Sequence, residues 1–219
     1  MGRMDLLWRE CKTRLSLPEE TVVWQNPVFQ FRRVYASDGL VCKIVDIGKD
    51  ASASRRKQDP EGEFRILRHC AGVPGIPAAL SCVRTDQFTA VVMTRLPGQP
   101  LSDISVGWLQ LLAILAKLGV ILVRLAWRGV SHSDIRCENV LVTRDNRVSI
   151  IDFDQAFETT VCSALLSHFF GVSLGGSRVY GSIVSVVKGH LKRTLPTRAT
   201  EMLRGLQRRY NRKLWMDGR

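Results

Sequence analysis

The stretch Ser131–Leu141, SHSDIRCENVL, brings His132, Asp134, Glu138 and Asn139 within eight residues and then turns apolar. Ser, Asp and Asn side chains compete for backbone hydrogen bonds and disfavour helix interiors, so the polar part reads as a loop. The apolar NVLV that follows reads as a short buried strand. Asp152 lies thirteen residues beyond Asn139, across NVLVTRDNRVSIIDF, a hairpin pattern with its turn at RDN. A tight hairpin returns its second strand beside its first, so Asp152 comes back near Asn139. Two oxygen-bearing side chains side by side suit Mg²⁺, which completes its shell with water and phosphate oxygens. Asp134, on the approach loop, is where a proton from an attacking hydroxyl could be accepted.

These residues need elements to hold them. Residues 3–16 read as a helix, broken by LPEE. VFQFRRVY and LVCKIVDI, rich in β-branched and aromatic residues, flank the turn ASDG and read as a hairpin. Residues 49–60 are polar and read as a loop. EGEFRILRHCA has helical apolar spacing and stops before the breakers of GVPGIP. AALSCVR and FTAVVMTRL are strand candidates, followed by the turn PGQP and a long apolar helix over residues 108–127. From about residue 155 the chain reads as mostly helical. GVSLGGSRVYG is glycine-rich but lacks the strand and lysine-bearing helix start of a phosphate loop, so it reads as a flexible connection. The order is a β-rich first part with one helix, residues 1–97, then a helical second part, 98–219.

Composition bounds the classes. The 219 residues are 45% hydrophobic and 24% charged, as in an ordinary globular protein. Six scattered cysteines form no CxxC pair and no zinc-like spacing. The N-terminus MGRMDLLWRE has no apolar signal run, and Leu6 stands where a myristoylation pattern wants Ser or Thr. Reduced thiols and a cytoplasmic or nuclear location are expected. Residues 108–127 match a bilayer in length, but Lys117 and Arg124 would each cost about 2.5–3.5 kcal/mol at a helix centre. A buried core helix, not a membrane span, is expected there. The net charge is +12, of which +8 falls between Lys188 and Arg219. That basic tail reads as a solvated face, or as a surface for nucleic acid, anionic lipid or an acidic partner.

HSDIRCEN resembles the catalytic loop of protein kinases, with His132, Asp134 and Asn139 matching in type and spacing. IDFD resembles the kinase D-F-G element, LVCKIV the strand that carries the phosphate-binding lysine, and EFRILRHC the helix whose glutamate pairs with it. VVMTRLPG resembles the inter-lobe hinge. The resemblance spans about residues 20–155 and implies an α+β, two-lobed kinase-like fold with a truncated helical second lobe. It implies ATP and Mg²⁺ as cofactors and transfer of the γ-phosphoryl group to a hydroxyl. Lys43 then meets the α/β-phosphates with Glu63 fixing its ammonium, and Asn139 and Asp152 hold the metal. Met93 becomes the gatekeeper, and the backbone of Thr94 and Leu96 faces adenine. Asp134 orients the acceptor hydroxyl, Arg136 sits where Ser/Thr kinases often carry a lysine that touches the transferring phosphate, and His132 braces the loop.

The chain departs from the pattern in several places. No G-x-G-x-x-G precedes Lys43, Asp154 replaces the last glycine of D-F-G, no A-P-E follows, and only 67 residues lie beyond Asp152. In these respects it is similar to small atypical kinase-like families, among them aminoglycoside and choline phosphotransferases. The acceptor implied is a protein Ser or Thr, with a small-molecule acceptor as the rival. A pseudokinase, or a kinase fold turned into a binding module, is the second class that the departures suggest.

Overall fold

The computed structural model describes residues 3–17, 22–24, 32–37, 39–47, 60–172 and 179–194. Most of the loop expected over 49–60 and most of the basic tail lie outside the described residues. The first part is a five-stranded antiparallel sheet in the order β1-β2-β3-β5-β4. Its strands are β1 (Val22–Trp24), β2 (Arg32–Ala36), β3 (Leu40–Asp46), β4 (Ala79–Arg84) and β5 (Phe88–Thr94). Helix α1 (Arg3–Leu15) precedes the sheet and α2 (Pro60–His69) falls between β3 and β4.

Successive strand side chains point to opposite faces, and along β3 this decides what each residue meets. Cys42 and Ile44 join Phe88, Ala90 and Val92 of β5 in a cluster closed by Leu7 and Cys11 of α1. The Trp8 ring stacks on Tyr35 with centroids 3.7 Å apart. On the other face, Val41, Val91 and Met93 pack with Ile66 and Leu67 of α2 in the larger core. Lys43 stands opposite Val91 in the β3–β5 register, so it shares the α2 side. A helix at 3–16 was expected; its role as the cover of the sheet's outer face was not.

The PGQP segment turns as expected, but Gln99 and Pro100 then form β6 (Gln99–Pro100), paired with β8 (Val140–Val142). A Cβ on Gly98, which has φ +122°, would lie 3.0 Å from the Val142 backbone, so glycine lets the two strands close. β8 and β9 (Val148–Ile150) form the expected hairpin, with Asn146 in the left-handed region at its turn. The second part continues with β7 (Val130–Ser131) paired to β10 (Phe157–Glu158), then α4 (Val161–Phe170) and α5 (Ile183–Thr194).

Helix α3 (Trp108–Trp127) runs through this part and buries Leu111, Ile114, Leu118, Ile121, Leu122 and Leu125 at three- and four-residue spacing. By length and composition alone it could cross a membrane, and 39% of its apolar window is buried inside the molecule. Those buried residues belong to the same core as Ile66, Val140 and Phe153.

Two buried histidines tie the loop after β7 to the helices. The His132 N–H donates to His168 Nε2 at 2.9 Å, and His168 Nδ1 meets the Leu122 carbonyl at 3.1 Å. A carbonyl only accepts, so Nδ1 carries the proton and Nε2 must stay bare. His132 Nε2 likewise donates to the Ile151 carbonyl, at 3.0 Å, and its Nδ1 accepts from the Asp134 N–H at 3.4 Å. Both rings are therefore held neutral, and burial, the largest cause in each case, lowers His132 to about 4 and His168 to about 3. Because these folded-state values lie below the ordinary histidine value, the unfolded chain takes up protons first on acidification. Stability is full above pH 6.5 and falls towards pH 4, by about 2 kcal/mol per histidine at pH 5. Urea melts between pH 7 and pH 5 should show a change less unfavourable in His168→Gln than in wild type, by about 2 kcal/mol. Equal losses in the two proteins would contradict the neutral histidine chain.

Candidate active site

Lys43 sits on β3 with its Nζ 2.6 Å from Glu63 Oε1 and 2.6 Å from Asp152 Oδ1. Glu63 is placed by α2, whose buried face carries Glu63, Ile66 and Leu67 at helical spacing. The same Oε1 accepts from the Phe153 N–H at 3.2 Å, fastening α2 to the segment after β9. Burial pushes the Glu63 carboxyl up; the Lys43 ammonium opposes that shift, and the Asp152 carboxylate adds to it. Among the described residues one ammonium faces two carboxylates, with Asp154 close enough to raise Glu63 further.

The polar loop gathers the other candidates. Asp134 is buried, with Oδ2 held by Arg136 at 2.7 Å and by the Asn139 side-chain nitrogen at 3.2 Å. Asp134 Oδ1 has no hydrogen-bond partner among the described residues. Such an oxygen costs roughly 1–3 kcal/mol in a structure that makes no use of it. Burial raises the Asp134 carboxyl and the Arg136 guanidinium opposes the rise. The Asn139 side-chain nitrogen also donates to the Asp134 carbonyl at 2.9 Å, which leaves its oxygen as an acceptor. The Ile151 N–H meets the Asn139 carbonyl at 2.9 Å, so the hairpin sets Asp152 one residue beyond Asn139's cross-strand contact.

Two non-glycine residues here are left-handed, Ser133 at φ +60° and Asp152 at φ +69°. Each costs on the order of 1–3 kcal/mol and persists only where surrounding contacts enforce it. Ser133 Oγ donates to the Gln155 carbonyl, and His132 packs edge-on against Phe153 with centroids 4.6 Å apart.

The hinge candidates lie apart from this cluster, at the end of β5. Met93 is buried in the core, while Thr94 and Leu96 are half-buried. The Thr94 N–H donates to the Ala78 carbonyl at 2.9 Å, so only its carbonyl is left to meet a purine. Cys42 and Cys137 have no base beside them among the described residues; a hydrogen bond with Cys11 and burial push the Cys42 thiol up, and burial does the same for Cys137. None of the six cysteines forms a disulfide with another.

Sequence reasoning missed His168, Ser133 and the docking of Tyr180 and Gly181. The Tyr180 and Gly181 N–H groups both donate to the Ser133 carbonyl, at 2.6 and 2.9 Å, and Gly181 bridges Asp134. The end of the segment expected to be a flexible connection is thus bound to the polar loop. The glycine at 181 was the available signal. A Cβ there would lie 2.5 Å from the Ile135 carbonyl oxygen, a backbone approach that no other residue allows.

No family model matches the sequence. A serine/threonine-protein kinase of Arabidopsis thaliana is 32% identical over 126 residues, covering 54% of this chain and 24% of that protein. Among solved structures, WbdD bound to a kinase inhibitor is similar with a TM-score of 0.53 and 23% identity, over 81% of this chain and 46% of that one. The kinase PK-1 of Cydia pomonella granulovirus is similar with a TM-score of 0.50 and 16% identity, over 70% of this chain and 57% of that one. The chain has a protein-kinase-like fold. It is a small, atypical version, α+β and two-lobed with a helical second lobe. It spans about a quarter of the length of the Arabidopsis kinase and less than two thirds of either solved chain.

In this kinase-like frame the donor chemistry near Asp152 fits a magnesium ion. Among the described residues no group of three or more His, Cys, Asp or Glu could hold a metal. Mg²⁺ does not need such a cage; it keeps waters and binds through one or two protein oxygens plus substrate phosphates. Asn139 and Asp152 are the pair that would hold it.

The Tyr180–Gly181 contact yields a test. Gly181→Ala must push the loop at Ile135 away, costing about 1–3 kcal/mol. The variant should melt lower than wild type and show raised hydrogen exchange at Ser133–Ile135. Unchanged melting and exchange would mean that the loop does not depend on this contact.

Proposed function

We propose that the protein is an ATP- and Mg²⁺-dependent phosphotransferase that moves the γ-phosphoryl group to a hydroxyl. Asp134 carries the proposal: it is a buried carboxylate with one oxygen fixed by Arg136 and Asn139 and the other without a partner among the described residues. That is the state expected of a group held ready to accept a proton, and its burial-raised pKa moves it towards the range a general base needs. A protein Ser or Thr as acceptor is supported by the name of the Arabidopsis relative and by Arg136 two residues after Asp134.

Each residue then has a task. Lys43, aimed by Glu63, holds the α/β-phosphates, and the ends of β3 and β5 with Met93, Thr94 and Leu96 receive the adenine. Asn139 and Asp152 hold Mg²⁺, which neutralises charge on the phosphates when bound. Asp134 takes the hydroxyl proton as the new oxygen–phosphorus bond forms and the bond to the β-phosphate's bridging oxygen breaks. Arg136 stabilises the negative charge of the group in transfer. His132 and Ser133 position this loop through Ile151 and Gln155.

A second reading has its own observation. Lys43 occupies Asp152 as well as Glu63, so a nucleotide-binding module that does not transfer phosphate is the alternative. Both readings require a nucleotide site. ATP at about 100 times its Kd adds roughly 2.7 kcal/mol. For a domain of this size, that is a melting rise of about 5–10 °C. The rise should need Mg²⁺ and vanish in Asp152→Asn; no rise in the wild-type protein would overturn both.

A further inference from the structure

Next to Asp134 the structure has a cavity of about 330 Å³ whose lining includes Arg136, Glu138, Tyr180, Ser185, Lys192 and Arg193. That volume is at the low end for ligand pockets, which run about 300–1,000 Å³, so it suits a compact group and not a helix or strand. Three cations face one carboxylate. They come from distant parts of the chain: Arg136 from the polar loop, Lys192 and Arg193 from the last turn of α5. Two contacts bring them together. The Cys137 thiol donates to the Val186 carbonyl, fixing α5 on the loop, and Tyr180–Gly181 binds the Ser133 carbonyl.

Arg136 is ion-paired with Asp134, and the two cations of α5 are presented without a carboxylate partner among the described residues. Arg193 Nε donates to the Gly189 carbonyl at 3.3 Å and its guanidinium lies beside the Cys137 thiol, which steadies the side chain while further N–H groups of the fork remain to donate. Lys192 makes no hydrogen bond or ion pair with another described residue. Ser185 Oγ accepts from the Ser182 N–H, so its proton is free to donate. Basic residues at the end of α5 also complement the helix dipole, which accounts for Lys192 and Arg193. It does not account for Arg136, or for a cavity between them. A guanidinium fork, an ammonium and hydroxyl donors around a small space match a phosphate group, which takes several charge-assisted hydrogen bonds at once.

Arg136 fixes what such a group would do. It lines the cavity and also holds Asp134 Oδ2 at 2.7 Å. A ligand in the cavity is therefore one side chain away from the carboxylate assigned above to the acceptor hydroxyl. We propose that the cavity binds a phosphate monoester carried by the acceptor, so that the molecule phosphorylated here already bears a phosphate near its reacting hydroxyl. Assigning the ligand to the acceptor rests on the phosphotransferase reading; the phosphate site itself does not.

The test is calorimetric titration of inorganic phosphate into the full chain at low ionic strength. Lys192→Gln/Arg193→Gln removes two exposed cations and should keep the fold. It should weaken phosphate binding about tenfold or more, as expected when charge-assisted bonds are lost. Arg124→Gln/Lys188→Gln removes the same charge from exposed positions outside the cavity lining and should leave the affinity unchanged. No binding by wild type, or equal weakening in the two variants, would overturn the site. A phosphoserine peptide and glycerol 3-phosphate are titrated in parallel: tighter binding of either than of inorganic phosphate supports an acceptor-borne phosphate and identifies its carrier. If neither binds more tightly, the acceptor assignment fails. ATP binding should survive in the cavity variant. Wild-type protein that binds phosphate in the cavity but no ATP would sink the phosphotransferase reading and leave the phosphate site standing.

Discussion

A buried ammonium must find negative partners, and among the described residues Lys43 meets Glu63 and Asp152. Its Nζ lies 2.6 Å from both Glu63 and Asp152, which joins the first-part sheet, α2 and the end of the β8–β9 hairpin at one atom. Removing one partner of a buried pair costs about 3–5 kcal/mol because the remaining charge stays uncompensated. A hydrophobic trio of similar size would cost less, so this junction contributes specificity of geometry more than stability.

The polar loop depends on a second constraint. Ser133 and Asp152 hold left-handed backbone, and their surroundings keep them there. Ser133 is bound through its hydroxyl to Gln155 and through its carbonyl to Tyr180 and Gly181. His132 reaches Ile151 through its ring and His168 through its N–H. These contacts leave Asp134 little freedom, and Arg136 and Asn139 then orient its carboxylate. Rigidity of this kind is what a group-transfer site requires, since catalysis by positioning fails with small displacements.

Much of this was legible in the chain because the signals are local. The β8–β9 hairpin, the β3 and β5 strands and α2 follow from short runs of apolar and β-branched residues or from helical apolar spacing, and the kinase-like loop from residue types at fixed offsets. Lys43, Glu63 and Asp152, 109 residues apart at the extremes, could be brought together only through the family resemblance. What stayed hidden was non-local. Nothing in residues 3–16 says which sheet face they cover; that depends on Cys42 and Ile44 alternating away from Lys43. The pairing of Gln99–Pro100 with β8 and the His132–His168 bond likewise join segments with no common pattern. PGQP and GVSLGGSRVYG read as turn and connection because glycine and proline mark breaks but not what the chain meets after them.

Phosphoryl transfer in Asp134→Asn tests the central claim most directly. Labelled γ-phosphate from Mg–ATP is followed to water or to an acceptor hydroxyl, in wild type and variant, with ATP affinity measured alongside. The substitution keeps the size and the contact to Arg136 but removes the proton acceptor, so turnover should fall about 10²- to 10⁴-fold with ATP binding intact. Turnover equal to wild type in Asp134→Asn would contradict the mechanism.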